Sequence, residues 1–290
     1  MDLQTAIEGF YIYLSSNNYS PITASNYKRF MQIFCKAINN PQVDSISREN
    51  ITDFFQELRD TGRSESTIQA YWRTIRTFYN WASDVLSIGG VDDIPMPRAE
   101  TRAIIPFTKD ETSRLIKSCK TKRDKAIILF LLDTGLRIGE ATRMTVGDVD
   151  INEGKAIVRP FHNSTKSRPR EVRFGRITKN ALWEYISSRN DLINKSAPLL
   201  ATNEGRFLDR YQARNILRRI AARAEIPNVH PHRFRHTFAI EFLRNGGNIF
   251  TLQELLGHSS LVMVRHYLKI SQADIAEAHR KSSPVDNWRI

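Results

Sequence analysis

Apolar residues recur every three or four positions from Leu3 to Tyr79, and that spacing restricts the region to amphipathic helices. Leu3, Ile7, Phe10 and Leu14 form one stripe, and Tyr27, Phe30, Met31 and Phe34 form a second. Ser20-Pro21 predicts a helix start, because the hydroxyl can cap free backbone N–H groups and proline suits the first turn. Ser47 can cap a third helix that turns Ile51, Phe54, Phe55 and Leu58 inward, and Thr61-Gly62 stops it. Ser64 opens a fourth, with Ile68, Tyr71, Trp72, Ile75 and Tyr79 on one face. These aromatics read as core. On the opposite faces Lys28, Arg29, Arg73 and Arg76 are either phosphate contacts or ordinary surface charges.

The pattern then breaks. Residues 87–107 hold two glycines and three prolines without helical period, which is linker composition. Thr108 to Glu111 is a capping box that starts a new helix. Residues 126–132, AIILFLL, are apolar throughout and predict a buried helix. Lys155–Pro160 and Arg170–Phe174 have strand character around a polar turn, so a hairpin is expected there. Helices follow near 177–194, 209–225, 232–245 and 249–257, then a helical stretch with Tyr267 and another from Ser271 to about Lys281. The fold class is mainly α with a small β-sheet.

Charge follows the same division. The chain of 290 residues carries a net +12, yet residues 1–95 have 8 Lys and Arg against 11 Asp and Glu, while residues 96–290 have 35 against 20. All the excess lies in the second part. An anionic polymer is the partner such a balance favours, although a solvated basic surface has the same composition. No run of about 18 apolar residues exists, so no membrane helix is expected. The start, MDLQTAIEGF, has no basic stretch followed by an apolar run, so no secretory signal is expected. Two cysteines, Cys35 and Cys119, cannot build a disulfide framework, and a reducing cytoplasm is the simplest compartment.

Four short motifs in the second part carry chemistry. In Thr134-Gly-Leu-Arg137-Ile-Gly-Glu140 the glycine ends the apolar helix, and Arg137 and Glu140 at i and i+3 share the face of the next. By itself this is no more than an ion pair at a helix start. In His232-Arg-Phe-Arg235-His236, His232 and Arg235 are again at i and i+3. His232 and His236 have zinc-ligand spacing, but the usual Glu after the first His is missing and the intervening arginines repel a dication. In Leu255-Leu256-Gly257-His258, glycine stops a helix and His258 follows on the turn. In His266-Tyr267-Leu268, the tyrosine stands nine positions after His258.

Each motif is weak alone; together they describe phosphoryl transfer. Two arginines and two histidines donate hydrogen bonds and positive charge to non-bridging phosphate oxygens. A tyrosine hydroxyl can attack the phosphorus. The pentacoordinate transition state gains negative charge, so fixed cationic donors stabilise it beyond the ground state. Arginine suits this work because its planar fork meets two oxygens and stays charged. Tyrosine, with a pKa of about 10, needs a base or a positive potential. A departing 5′-oxygen needs a proton, for which Lys166 in the hairpin turn has the reach, with Lys155 at the strand start as a second candidate.

The order and spacing of TGLRIGE at 134–140, TKSRPREV at 165–172, HPHRFRHTFA at 230–239, LLGHSS at 255–260 and RHYLK at 265–269 resemble the phage integrase family of tyrosine recombinases. The resemblance runs from roughly residue 105 to 270. Its catalytic set falls on Arg137, Lys166, His232, Arg235, His258 and Tyr267, with Glu140 as the supporting acid. It implies a four-helix core-binding domain over 1–88, a linker over 89–107, a mixed α/β catalytic domain over 108–270 and a tail over 271–290. It implies no metal and no nucleotide cofactor. It implies double-stranded DNA clamped between two domains, a 3′-phosphotyrosyl intermediate and a tetramer of protomers. Phe234 stands where the family has Leu, and Thr142 and Thr145 where larger apolar residues are common. No arm-type domain is expected before the core-binding part.

In the tail, Ala273, Ile275, Ala276 and Ala278 suit a short helix, and Val285, Trp288 and Ile290 form an apolar end, with Trp288 as an anchor on a neighbouring protomer or on its own. Two other functions share the chemistry or the fold: a relaxing topoisomerase of type IB, and a DNA-binding protein without catalysis.

Overall fold

The computed structural model describes residues 1–87, 94–98, 103–160, 169–189 and 194–257, and the isolated positions 261, 264, 265, 267, 268, 283, 285 and 288. The chain forms two compact units, Met1–Arg102 and Ala103–Ile290.

In the first unit, α1 (Leu3–Ser16), α2 (Pro21–Ala37), α3 (Arg48–Asp60) and α4 (Glu65–Leu86) are each opened by a side-chain cap, from Asp2, Ser20, Ser47 and Ser64 in turn. Helix α1 packs on α2 and α4, and α3 packs on α4. Rings fill the space between them: Phe10 meets Phe78 edge-on with centroids 5.4 Å apart, and Phe54 meets Tyr71 at 5.3 Å. The chain beyond α4 is held back onto this unit, where Trp72 Nε1 donates to the Ile94 carbonyl at 2.9 Å and Ile94 is buried. Of the four basic residues on the outer faces, Lys28 pairs with Glu8 at 2.7 Å, Arg73 donates to Gln69, and Arg29 and Arg76 lie over Phe30 and Trp72.

The second unit is built around α6 (Lys122–Thr134), preceded by α5 (Lys109–Lys117). Every residue from Ala126 to Leu131 is buried, as an apolar run demands. A four-residue helix, α7 (Ile138–Ala141), follows, then a three-stranded antiparallel sheet ordered β1 (Val149–Asp150), β2 (Lys155–Val158) and β3 (Arg170–Arg173). The hairpin is present, but β1 is an addition, too short at two residues to show an alternating pattern. The hairpin turn, with Lys166, lies outside the described residues. Helices α8 (Arg176–Ile186), α9 (Arg210–Ala224), α10 (Pro231–Arg244) and α11 (Ile249–Leu256) complete the unit. Helix α8 stops eight residues short of the expected 194. Ser188 turns its hydroxyl onto the Tyr185 carbonyl, and Arg189 reaches the carbonyls of Pro198 and Leu199, so the chain leaves the helical path there. The helical stretch expected from Ser271 lies outside the described residues; Trp288 is 71% exposed.

Arg233 fastens the entry of the second unit to α10. Its guanidinium forks onto both Glu111 oxygens at 2.8 Å, donates to the carbonyls of Ile105, Pro106 and Pro227, and lies 4.1 Å over the Phe107 ring. Thr237 accepts the Phe107 N–H at 2.8 Å. Arg233 is buried whereas Glu111 is part-exposed, so Arg233→Ala should lower the unfolding free energy by about 1–3 kcal/mol, chiefly through the carbonyls left without a donor. Urea denaturation of the full chain measures this; a loss below about 1 kcal/mol would show the pair to be no better than a surface one.

Candidate active site

Gly135 ends α6 with φ +61, and a Cβ there would collide with the Phe238 ring, so glycine is required. The turn hands the chain to Arg137, the N-cap of α7. Glu140 accepts the Arg137 backbone N–H at 2.9 Å and its Nη1 at 3.2 Å. The carboxylate therefore fixes both ends of Arg137, the main chain and the guanidinium. Glu140 is 4% exposed, and Arg170 forks onto it at 2.8 and 3.1 Å. This is no surface ion pair.

Burial alone would raise the Glu140 pKa; the hydrogen bonds and charge of Arg170, then the Arg137 contacts, overcome it and take the group down to about 2. A folded pKa below the unfolded one contributes stability that is present above the unfolded value and lost as pH falls through the folded one. That contribution, about 3 kcal/mol, should disappear between roughly pH 5 and pH 2. Urea titrations of wild type and Glu140→Gln should therefore differ most above pH 5 and converge as pH falls; a pH-independent difference contradicts the assignment.

Helix α10 carries three polar side chains of the site. Arg235, 3% exposed, donates Nη1 to the Gly135 carbonyl at 2.9 Å and Nη2 to the Leu256 carbonyl at 2.7 Å. It thus joins the end of α6, α10 and the end of α11. Burial, and then Arg137, depress its pKa to about 9, which leaves it charged at neutral pH. His232 is one turn away. Desolvation, then the charges of Arg235, His230, Arg137 and Arg214, hold its pKa below the ordinary value and favour neutral imidazole.

Tyr267 is 1% exposed and packs with Ala239, Ile240, Leu243, Leu252, Leu256 and Val264 in a cluster of its own beside the main core. Its hydroxyl lies 2.9 Å from His236 Nδ1. Burial raises its pKa, and Arg235 and Arg137 pull it back. The net direction is upward, so the buried hydroxyl stays a neutral phenol, with the two arginine charges opposing the effect of burial.

The structure brings Arg137, Glu140, His232, Arg235 and Tyr267 together. Lys166 and His258 lie outside the described residues. Lys155 heads β2, with Asp150 and Arg173 as its strand partners. Two participants were not singled out from the sequence. His236 was weighed only as a zinc ligand, yet it faces Tyr267. Arg170 was passed over in a basic run; the usable signal was period two, because it shares a strand face with Val172, which is fully buried. Among the described residues no group of three His, Cys, Asp or Glu could hold a metal ion, and no helix is long and apolar enough to cross a membrane.

Residues 106–274 match the phage integrase family, and residues 7–84 match the N-terminal SAM-like domain of phage integrases. A tyrosine recombinase XerD of Oceanobacillus iheyensis is 30% identical, covering 97% of this chain and 99% of the relative. A tyrosine recombinase XerA of Thermococcus kodakarensis is 28% identical over 97% and 96%. Among solved structures, the transposon Tn1549 integrase in complex with a circular intermediate DNA superposes with a TM-score of 0.80 at 21% identity, covering 98% of this chain and 99% of that one. A lambda integrase tetramer bound to a Holliday junction gives 0.72 at 16% identity, covering 90% and 78%.

Proposed function

This chain belongs to the phage integrase family and is a tyrosine-type site-specific DNA recombinase, and on that premise we propose how its residues divide the work. Tyr267 attacks the scissile phosphate and forms a 3′-phosphotyrosyl bond as the 5′-oxygen leaves. Arg137 and Arg235 hold the non-bridging oxygens, His232 and His258 add donors, and Lys166 gives the departing 5′-oxygen its proton. Glu140 orients Arg137. The observation that carries this reading is the convergence on the end of α11, where Arg235 donates to the Leu256 carbonyl, Tyr267 packs in the cluster that contains Leu256, and Arg137 is tied through Glu140 and Arg170 to the Leu255 carbonyl.

Within the first unit, residues 1–88 serve as a core-binding domain, with 89–107 as linker, 108–270 as catalytic domain and 271–290 as a tail that contacts a protomer. The enzyme works in the cytoplasm on double-stranded DNA and exchanges strands as a tetramer. The tetramer reading is supported by the lambda integrase relative, whose structure is a tetramer on a Holliday junction. The exposed Trp288 suits the tail reading.

The test uses DNA that the purified protein protects. Two such sites on one supercoiled plasmid should yield exchanged products, and a nicked site should trap protein–DNA adducts. Loss of supercoils without exchange would favour a topoisomerase instead, and binding without adducts a non-catalytic protein.

A further inference from the structure

Arg170 heads β3 with a side chain only 6% exposed. A guanidinium so placed carries a heavy desolvation cost unless each donor is used. Its Nη2 meets Glu140 Oε2 at 2.8 Å, its Nη1 meets Oε1 at 3.1 Å, and its Nε donates to the Leu255 carbonyl at 2.7 Å. Gly257, at φ +64, follows α11, and a Cβ there would come within 3.0 Å of the same Nη1. The backbone at the end of α11 therefore lies against this side chain. One planar group joins three stretches remote in sequence: the strand after the hairpin turn, the acid that holds Arg137, and the end of α11.

We infer that Arg170 is a positioning residue for strand cleavage, acting through Glu140 on Arg137 while its Nε anchors it to the end of α11. Arg170 reaches both Glu140 oxygens and shares Oε1 with the Arg137 Nη1. With Arg170 gone, the buried carboxylate draws more of the Arg137 guanidinium to itself, and less remains for the phosphate. A hydrophobic substitute fills the space but leaves the competition. Lysine keeps the charge, yet a single ammonium cannot fork onto two carboxylate oxygens and also reach the carbonyl. The inference rests on the roles given above to Arg137 and Tyr267.

The experiment is single-turnover cleavage of a nicked duplex carrying the protected sequence, at saturating protein. DNA affinity and thermal midpoint are measured for the same samples. Arg170→Lys should cleave at least about tenfold more slowly, with affinity and midpoint near wild type. Arg170→Met should be slower still, by about thirtyfold. Glu140→Gln alone should cost about tenfold, and the double variant should cleave about as fast as Arg170→Met rather than about three hundredfold below wild type, because both changes act on one link. Wild-type cleavage by Arg170→Lys overturns the inference. So do multiplicative losses in the double variant, or a loss fully accounted for by weaker binding or less folded protein. If wild type forms no Tyr267-dependent adduct, the underlying reading fails; if it does and Arg170→Lys cleaves normally, only this inference fails.

Discussion

Tyr267→Phe should abolish covalent protein–DNA adducts, a loss of at least about ten-thousandfold, because no other group takes over the attacking oxygen. DNA binding should stay within about twofold, since the phenol oxygen contributes little to phosphate contacts that rest on guanidinium groups. Stability should change little. The hydroxyl lies 2.9 Å from His236 Nδ1, and the ring is otherwise packed among Ala239, Ile240, Leu243, Leu252, Leu256 and Val264. Losing one neutral hydrogen bond costs about 1 kcal/mol, and phenylalanine keeps the ring volume. Denaturing gels of nicked-site reactions provide the measurement. Adducts that persist in the variant would move the nucleophile elsewhere.

Arg235→Met should come second in size and separate catalysis from stability. In the proposed role the guanidinium offsets the negative charge that grows on the phosphate in the transition state, so cleavage should fall by about a thousandfold or more. The fold has less to lose. Burial and Arg137 hold the Arg235 pKa at about 9, well under the ordinary arginine value, which amounts to about 5 kcal/mol against the charged form. Against that relief stand the carbonyls of Gly135 and Leu256, which lose donors at about 1–3 kcal/mol each. The two sides nearly cancel, so the unfolding free energy should stay within about 2 kcal/mol of wild type. Urea denaturation and single-turnover cleavage on one preparation test both halves. A collapse of stability that matches the loss of cleavage would make Arg235 a structural residue first.

Much of this was legible in the sequence, for reasons that differ by region. Stripes such as Leu3, Ile7, Phe10 and Leu14 reveal helices because burial imposes the period. Caps reveal starts because Ser20, Ser47, Ser64 and Thr108 accept backbone N–H groups that nothing else in the helix can take. Strand β1 was illegible because two residues make no pattern. The early end of α8 was missed because Arg189 leaves the helix for the carbonyls of Pro198 and Leu199, partners found only in the folded chain. Arg137 and Arg235 were visible as motif residues. Arg170 was hidden because its partners, Glu140 and Leu255, stand 30 and 85 positions away. Polar residues report their neighbours only through tertiary structure, whereas apolar ones report burial locally.

The reaction centre draws on stretches as far apart as Arg137 and Tyr267, about 130 residues along the chain. A ribosome adding roughly 5–20 residues per second separates their appearance by on the order of ten seconds. During that interval the nascent polypeptide can already fold its first helices, yet it lacks the hydroxyl proposed to attack DNA. Translation order thus supplies the attacking oxygen after the guanidinium groups that are to receive the phosphate.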